Sequence, residues 1–431
     1  MRVEDPGGYT RRVVDAELDE LVPSLAAIAL EGAKAVGKTK TALQRAATVY
    51  PLDDPDHRNV TLADPRRLLE GEPPILIDEW QRVPESWDLV RRAVDGGAEP
   101  GRFLLTGSAS PSEAPMHSGA GRIVVVRMRP LTLFERGVTR PSVSLSALLS
   151  GSRPEISGRT GVRLATYVDE ILASGFPGLR GLRERALRTQ LDSYVERIVD
   201  RDFPEMGHRV RNRVALRNWM TAYAAASSTT ASYEKIRDAA TSGEGETPNR
   251  KATAPYRDVL RHLWIVDPVP AWLPTRNRLR RLSAPPKHQL ADPALAARLL
   301  GVDARALLEA APAGPPIQRD GTLLGALFES LVTLDVRVYA QLAEATVKHF
   351  RTWAGEHEVD LIVERSDGRV VAIEVKLART IGALDDAVDH LLWLRNQIGD
   401  ELLDAVVITT GENAYRRPDG VAVVPAALLG P

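Results

Sequence analysis

Gly32-Ala-Lys-Ala-Val-Gly37-Lys38-Thr39 fits the spacing GxxxxGK[ST] in full, and what flanks it decides the fold. Leu25-Ala-Ala-Ile-Ala-Leu30 before it is apolar enough for a buried strand, and Thr41-Ala-Leu-Gln-Arg-Ala-Ala47 after it has the composition of a helix. Strand, glycine turn and helix together make a loop whose backbone N–H groups wrap phosphate. The glycines let the backbone close on the anion, and the helix N-terminus adds partial positive charge. In this reading Gly32, Ala33, Lys34, Ala35, Val36 and Gly37 cradle a nucleoside triphosphate, Lys38 reaches its β- and γ-phosphates, and the Thr39 hydroxyl ligates Mg²⁺. No guanine-reading segment is visible, which leans toward ATP.

A second element supports the first. Pro73-Pro-Ile-Leu-Ile77-Asp78-Glu79 reads as a short apolar strand ending in two carboxylates. Asp78 is the candidate magnesium carboxylate and Glu79 the candidate general base for an attacking water. A polar end to a buried parallel strand would read the same way in isolation, but beside a phosphate loop the catalytic reading is favoured. A third strand, Arg102-Phe-Leu-Leu105, ends in Thr106-Gly107-Ser108. Thr106 is either a sensor of the γ-phosphate or its water, or simply a turn residue.

Composition sets the limits. A chain of 431 residues exceeds the usual size of one core, so two or three domains are expected. The apolar share of 44% and charged share of 26% are those of an ordinary globular protein. Absence of cysteine excludes disulfides, thiolate metal sites and cysteine nucleophiles. No apolar run approaches the roughly 18 residues of a membrane span, and the N-terminus lacks a signal-like core, so a cytoplasmic protein without a membrane partner is expected. Neither HExxH nor GxSxG occurs, which removes the common zinc-protease and serine-hydrolase arrangements. His349 and His357 are expected at surface or turn positions.

Along the chain, residues 1–150 alternate apolar strands with helical stretches, the pattern of a parallel α/β sheet, with Val60-Thr-Leu62, Ile75-Leu-Ile77, Phe103-Leu-Leu105 and Ile123-Val-Val-Val126 as further strands. The polar stretch from Ser150 to Gly158 reads as a linker. Helices then dominate, and Leu187, Leu191, Tyr194, Val195 and Ile198 mark one buried helix face. Residues 208–288 carry fifteen Lys or Arg against six Asp or Glu in a chain whose formal net charge is −1. Within this basic zone, helices at Tyr233–Ala240 and Pro255–Leu263, a loop from Thr241 to Arg250, and short strands at Trp264–Val266 and Ala271–Leu273 suggest a winged-helix-like module. Such a module either contacts double-stranded DNA or packs as a link between domains.

In the last third, Thr346–Thr352, a turn at Ala354-Gly355, Glu358–Val363, a turn at Asp367-Gly368 and Val370–Lys376 read as successive antiparallel strands. Side-chain alternation puts Glu374 and Lys376 on one face, and one hairpin brings Asp360 near them. Glu329, on the helix Leu323–Val332, is a candidate third carboxylate. These residues either hold Mg²⁺ for phosphodiester cleavage or are charges on the wet face of a sheet.

Taken together, these stretches resemble a prokaryotic family of AAA-type ATPases with a C-terminal restriction-endonuclease-like domain. The resemblance rests on Tyr9–Glu20, the glycine loop, Ile77-Asp78-Glu79, Leu105-Thr-Gly-Ser108, Gly121-Arg122, Arg129-Pro-Leu-Thr-Leu-Phe-Glu135, Gly175-Phe-Pro177, Arg201-Asp202, and Glu358-Val-Asp360 with Ile373-Glu-Val-Lys376. It implies an α/β fold with an AAA-type domain over 1–150, a helical and winged-helix-like module over 160–285 and a PD-(D/E)XK nuclease-like domain over 286–431. It also implies Arg122 as an arginine finger, acting within the chain or across a homo-oligomer, and Glu329, Asp360, Glu374 and Lys376 as the nuclease motif. Three functions follow as alternatives: an ATPase acting on DNA or another partner, a metal-dependent nuclease switched by nucleotide, and a non-enzymatic DNA-binding regulator.

Overall fold

Five short apolar segments of the computed structural model, Ala27–Glu31 (β1), Thr48–Pro51 (β2), Ile75–Asp78 (β3), Phe103–Gly107 (β4) and Val124–Arg127 (β5), form one parallel sheet in the order β2-β3-β4-β1-β5. The structure describes residues 8–108, 119–208, 210, 212–241, 250–274, 284–308, 323–352, 355–377 and 381–431. The loop expected over 242–249, Ala354 of the expected turn, and Arg209, Arg211, Arg276, Arg278, Arg280 and Arg281 of the basic zone lie outside these residues.

The strand order has a direct consequence for the site. Because β4 lies between β1 and β3, Thr106 is in register with Leu30 on one side and with Asp78 on the other. The glycine loop, the acid pair and the Thr106 hydroxyl therefore leave the sheet at the same edge, the C-terminal ends of parallel strands where ligands collect in open α/β folds. β1, β3 and β4 are buried on both faces, which is why they read as unbroken apolar runs rather than alternating ones.

Two local expectations fail for physical reasons. Val60-Thr-Leu62 is not a strand but part of the helix Pro55–Ala63. There the Asp54 carboxylate accepts the Asp56 N–H at 2.8 Å and Pro55 sits in the first turn, so the helix start overrides the β-branched residues. The stretch read as a linker contributes Ser157–Arg159 (β7), after a two-residue strand Val143–Ser144 (β6).

β7 joins the edge of a seven-stranded mixed sheet with Thr346–Arg351 (β8), Glu358–Glu364 (β9), Val370–Lys376 (β10), Leu402–Thr409 (β11), Asn413–Arg416 (β12) and Ala422–Pro425 (β13), in the order β7-β12-β13-β11-β10-β9-β8. The antiparallel runs β8-β9-β10 follow the sequence reading. Leu429–Gly430 (β14) pairs in parallel with β6, so the chain end packs against the segment leaving the first domain. Alternation along β9 and β10 splits the sheet between two cores. Leu361, Val363, Val371 and Ile373 face the helix Leu323–Leu342, whereas Ile362 and Ala372 join Leu391 and Leu394 of the helix Ile381–Ile398.

Between β7 and β8 in the chain come the helices Leu164–Leu172, Glu184–Arg197, Arg213–Ala225, Tyr233–Ala239, Arg250–His262 and Pro293–Leu299. Leu191, Val195 and Ile198 are buried in the face that their spacing marks. The strands expected for a winged-helix-like module do not form a wing. Val266 and Val269 pair antiparallel with Leu290 and Lys287, while Ala271 bridges to His349 of β8, so the two expected strands do not pair with each other.

One buried carboxylate ties these parts together. Asp267 receives Arg127 at 2.9 Å, Arg129 at 3.0 Å and Arg337 at 2.9 Å, drawing β5, the segment after it, and the long C-terminal helix onto one point. Burial alone would raise its carboxyl, but the three guanidinium groups outweigh this and hold it well below the usual carboxylate range. No helix among the described residues is long and apolar enough to cross a membrane. Asp267→Asn leaves three buried cations without their counter-charge and is expected to destabilise the fold by about 3 kcal/mol in denaturant unfolding. Unchanged stability would contradict this role.

Candidate nucleotide site

Gly32 can only be glycine. A Cβ there would stand 2.1 Å from the Met128 carbonyl oxygen, which comes from the segment just past β5. Gly37 has φ +102°, in the left-handed region that favours glycine, and Ala35 is held there too at 69°. The loop then enters the short helix Lys38–Leu43.

Lys38 is buried, with 5% exposure, and its Nζ donates to the Gly32 and Ala33 carbonyls at 2.9 and 3.0 Å. Burial lowers its ammonium to about 8, against the opposing pull of Glu79 and Asp78. Thr39 Oγ1 donates to Asp78 Oδ1 at 2.8 Å, and the Thr106 hydroxyl donates to the same oxygen. The Glu79 backbone, left-handed at φ 54°, donates its N–H to Thr106 Oγ1 at 3.4 Å. Its side chain is steadied by Gln81 Nε2 at 2.5 Å, a partner the sequence reading did not name. Gly107 makes room for this: a Cβ there would meet Trp80 Nε1 at 2.6 Å and Gln81 Oε1 at 2.8 Å. Lys38, Thr39, Asp78, Glu79 and Thr106 are thus assembled at one sheet edge.

The hydroxyl and carboxylate oxygens of Thr39 and Asp78 form a hard donor pair suited to Mg²⁺. Beside the loop opens a cavity of about 1140 Å³ whose walls include Tyr9, Arg11, Gly37, Thr41, Pro177 and Arg180. It is roomy against the roughly 300–1,000 Å³ of ordinary small-molecule sites.

The loop is gripped from two sides by residues that sequence spacing could not assign. Arg12, itself buried, donates to the Val36 carbonyl at 2.8 Å, the Arg129 carbonyl at 2.7 Å and Glu135 Oε1 at 3.0 Å. The same Glu135 accepts the Val13 N–H at 2.7 Å and the Thr132 N–H at 2.8 Å. On the other side Lys34 Nζ bonds Asp202 Oδ1 at 2.5 Å, and Tyr194 donates to the Lys34 carbonyl at 3.1 Å. Asp202 ends a π-helical turn, Ile198–Asp202, an irregularity often found at functional sites.

Arg122 is not brought to the loop within this chain. It is exposed and pairs with Asp95 at 2.8 Å. Glu329, Asp360, Glu374 and Lys376 do converge, around an unanticipated Lys287. His349 is buried in β8 rather than at the surface, its Nε2 3.0 Å from the Pro285 carbonyl. Burial and nearby Lys287 lower its imidazole to about 4. His357 stacks on Trp393 with ring centroids 4.0 Å apart.

Residues 25–136 match the family described as AAA domain, which supports an AAA-type P-loop ATPase fold for this part of the chain. Residues 164–306 and 324–429 match two families described only as domains of unknown function, DUF8612 and DUF4143. Two relatives, uncharacterized protein Mb2031c of Mycobacterium bovis and uncharacterized protein Rv2008c of Mycobacterium tuberculosis, are each 27% identical over 424 residues, which is 96% of this chain and 83% of theirs. Among solved structures, the Walker-type ATPase PABY2304 of Pyrococcus abyssi is 15% identical over 69% of this chain and 97% of its own, with a TM-score of 0.40. The ORC2 protein of Aeropyrum pernix is 15% identical over 70% of this chain and 96% of its own, with a TM-score of 0.29.

A triphosphate seated on the loop would raise the Lys38 ammonium back toward its ordinary range. The lysine charge therefore contributes fully to affinity below its free value of about 8 and is lost as pH rises above it. Calorimetric ATP affinity should be flat below about pH 8 and weaken above it by up to about tenfold per pH unit. An affinity that stays constant to about pH 10 would contradict this assignment of Lys38.

Proposed function

We propose that the protein binds and hydrolyses ATP with Mg²⁺ at the Gly32–Thr39 loop and uses the cycle to move its helical module on a partner. The observation that carries this reading is the meeting of Thr39 and Thr106 on a single oxygen of Asp78, with Glu79 next in the chain. That geometry sets a hydroxyl, a carboxylate and a second carboxylate where the loop ends.

In this reading Lys38 releases the Gly32 and Ala33 carbonyls to reach the β- and γ-phosphates. Thr39 and Asp78 would hold magnesium, which supplies charge neutralisation on the phosphates. Glu79, oriented by Gln81, accepts the proton of the attacking water, and Thr106 orders that water against the γ-phosphate. The nucleoside extends into the cavity beside Tyr9 and Pro177. Lys34 is the link to motion, since a phosphate on the loop competes with Asp202 for its ammonium and so loosens or tightens the π-helical turn. Arg122, exposed on the first domain, belongs to a homo-oligomeric arrangement in which it reaches a neighbouring site. Double-stranded DNA is the partner favoured by the positive excess of residues 208–288.

Turnover by wild type, Lys38→Ala and Glu79→Gln tests the reading. Lys38→Ala is expected to lose nucleotide binding. Glu79→Gln should keep it while turnover drops by about 10²–10⁴-fold. Equal turnover in all three proteins would refute the assignment.

A further inference from the structure

The C-terminal carboxylates meet on a lysine where a nuclease would need a metal. Lys287 Nζ lies 3.0 Å from Glu329 Oε1, 3.1 Å from Glu358 Oε1 and 2.9 Å from Asp360 Oδ1, with its side chain 1% exposed. The other oxygen of Asp360 accepts the Val375 N–H at 2.9 Å and faces Lys376 Nζ at 3.6 Å, while Lys376 bonds Glu374 Oε2 at 2.7 Å. Glu374 is 2% exposed, and its Oε1 has no hydrogen-bond partner.

Lys287 is not a mobile surface lysine that happens to point inward. Its backbone is clamped to Val269 by two hydrogen bonds, Val269 N–H to Lys287 O at 2.8 Å and Lys287 N–H to Val269 O at 2.9 Å. The next residue, His288, is fixed by its N–H to the Thr229 carbonyl at 2.8 Å and by Nε2 at 2.7 Å from the Ala231 carbonyl. The ammonium is therefore delivered to the cluster by the segment paired with Val266 and Val269 of the middle module.

Two ammonium groups already occupy the cluster without a metal: Lys287 Nζ among Glu329, Glu358 and Asp360, and Lys376 Nζ on Glu374. A divalent ion brought among them would meet an ammonium already at hydrogen-bond distance from three of its oxygen donors. Among the described residues no group of three or more Asp, Glu or His side chains is arranged to hold a metal ion. The metal that a PD-(D/E)XK motif implies does not fit this site.

We infer that Lys287 is a built-in counter-ion that takes the metal's place among Glu329, Glu358 and Asp360, closing the C-terminal cluster to divalent cations and stapling the middle module to the sheet. The C-terminal domain then serves as a packed scaffold and does not cut DNA. The reading is independent of ATP hydrolysis at the first domain.

The test is Mn²⁺ binding to the nucleotide-free full chain, followed by electron paramagnetic resonance of the free ion, in wild type, Asp360→Asn and Lys287→Met. Wild type is expected to retain no Mn²⁺ tighter than about 1 mM. Lys287→Met should gain one Mn²⁺ at least about tenfold tighter than wild type, with an unfolding temperature that Mn²⁺ raises. A wild-type protein that binds one Mn²⁺ below about 1 mM and loses it in Asp360→Asn overturns the inference. So does a folded Lys287→Met protein that binds none. Should Lys287→Met fail to fold, the wild-type and Asp360→Asn titrations decide alone, with absence of binding in the former supporting the inference.

Discussion

The buried pair of Arg12 and Glu135, 3.0 Å apart, is the constraint on which the rest of the molecule depends. Neither group can leave water cheaply, and the pair is tolerable only because each also satisfies backbone groups. Arg12 spends its remaining donors on the carbonyls of Val36 and Arg129, and Glu135 accepts N–H groups from Val13 and Thr132. The phosphate loop, the N-terminal helix and the segment following β5 are thereby fixed as one body. A glycine-rich loop left free would lose much of its capacity for anions to the entropy of ordering; here that ordering is already in the fold.

From this body, two polar contacts lead outward. Lys34 carries the loop to Asp202 of the helical module, and Arg127 with Arg129 carry β5 to Asp267, where Arg337 arrives from the C-terminal side. Both contacts start within a few residues of the phosphate loop or of the Met128 backbone that crowds Gly32. A change at the loop therefore has two short routes to the remainder of the chain, one through an ion pair that a phosphate can disturb and one through a hub that is too buried to disturb cheaply. The first suits a switch and the second a hinge.

Much of this was legible in the sequence because it follows local rules. The glycine loop, the apolar run before Asp78 and Glu79, and the alternation through β8, β9 and β10 each carry their structure in spacing alone. Val60–Leu62 has strand-forming residues but lies behind the Asp54-Pro55 helix start, and Thr48–Pro51 is too short and too exposed for its composition to mark a strand. Arg12, Asp202, Asp267 and Lys287 were not legible as a class. Each is a charged residue whose partners lie from 42 to 168 positions away, as in Lys287 with Glu329 and Lys34 with Asp202, and no periodicity marks such pairs. The carboxylates of the C-terminal motif are marked by spacing, yet the lysine that changes their meaning comes from outside the motif, on a segment paired with Val269.

Hydrogen–deuterium exchange of the full chain with and without Mg²⁺ and a non-hydrolysable ATP analogue tests the central claim most directly. Slower exchange is expected across residues 32–39 and at the ends of β3 and β4, together with altered exchange in the turn Ile198–Asp202 that holds Lys34. Exchange that is indifferent to nucleotide throughout the loop would contradict the account at its root.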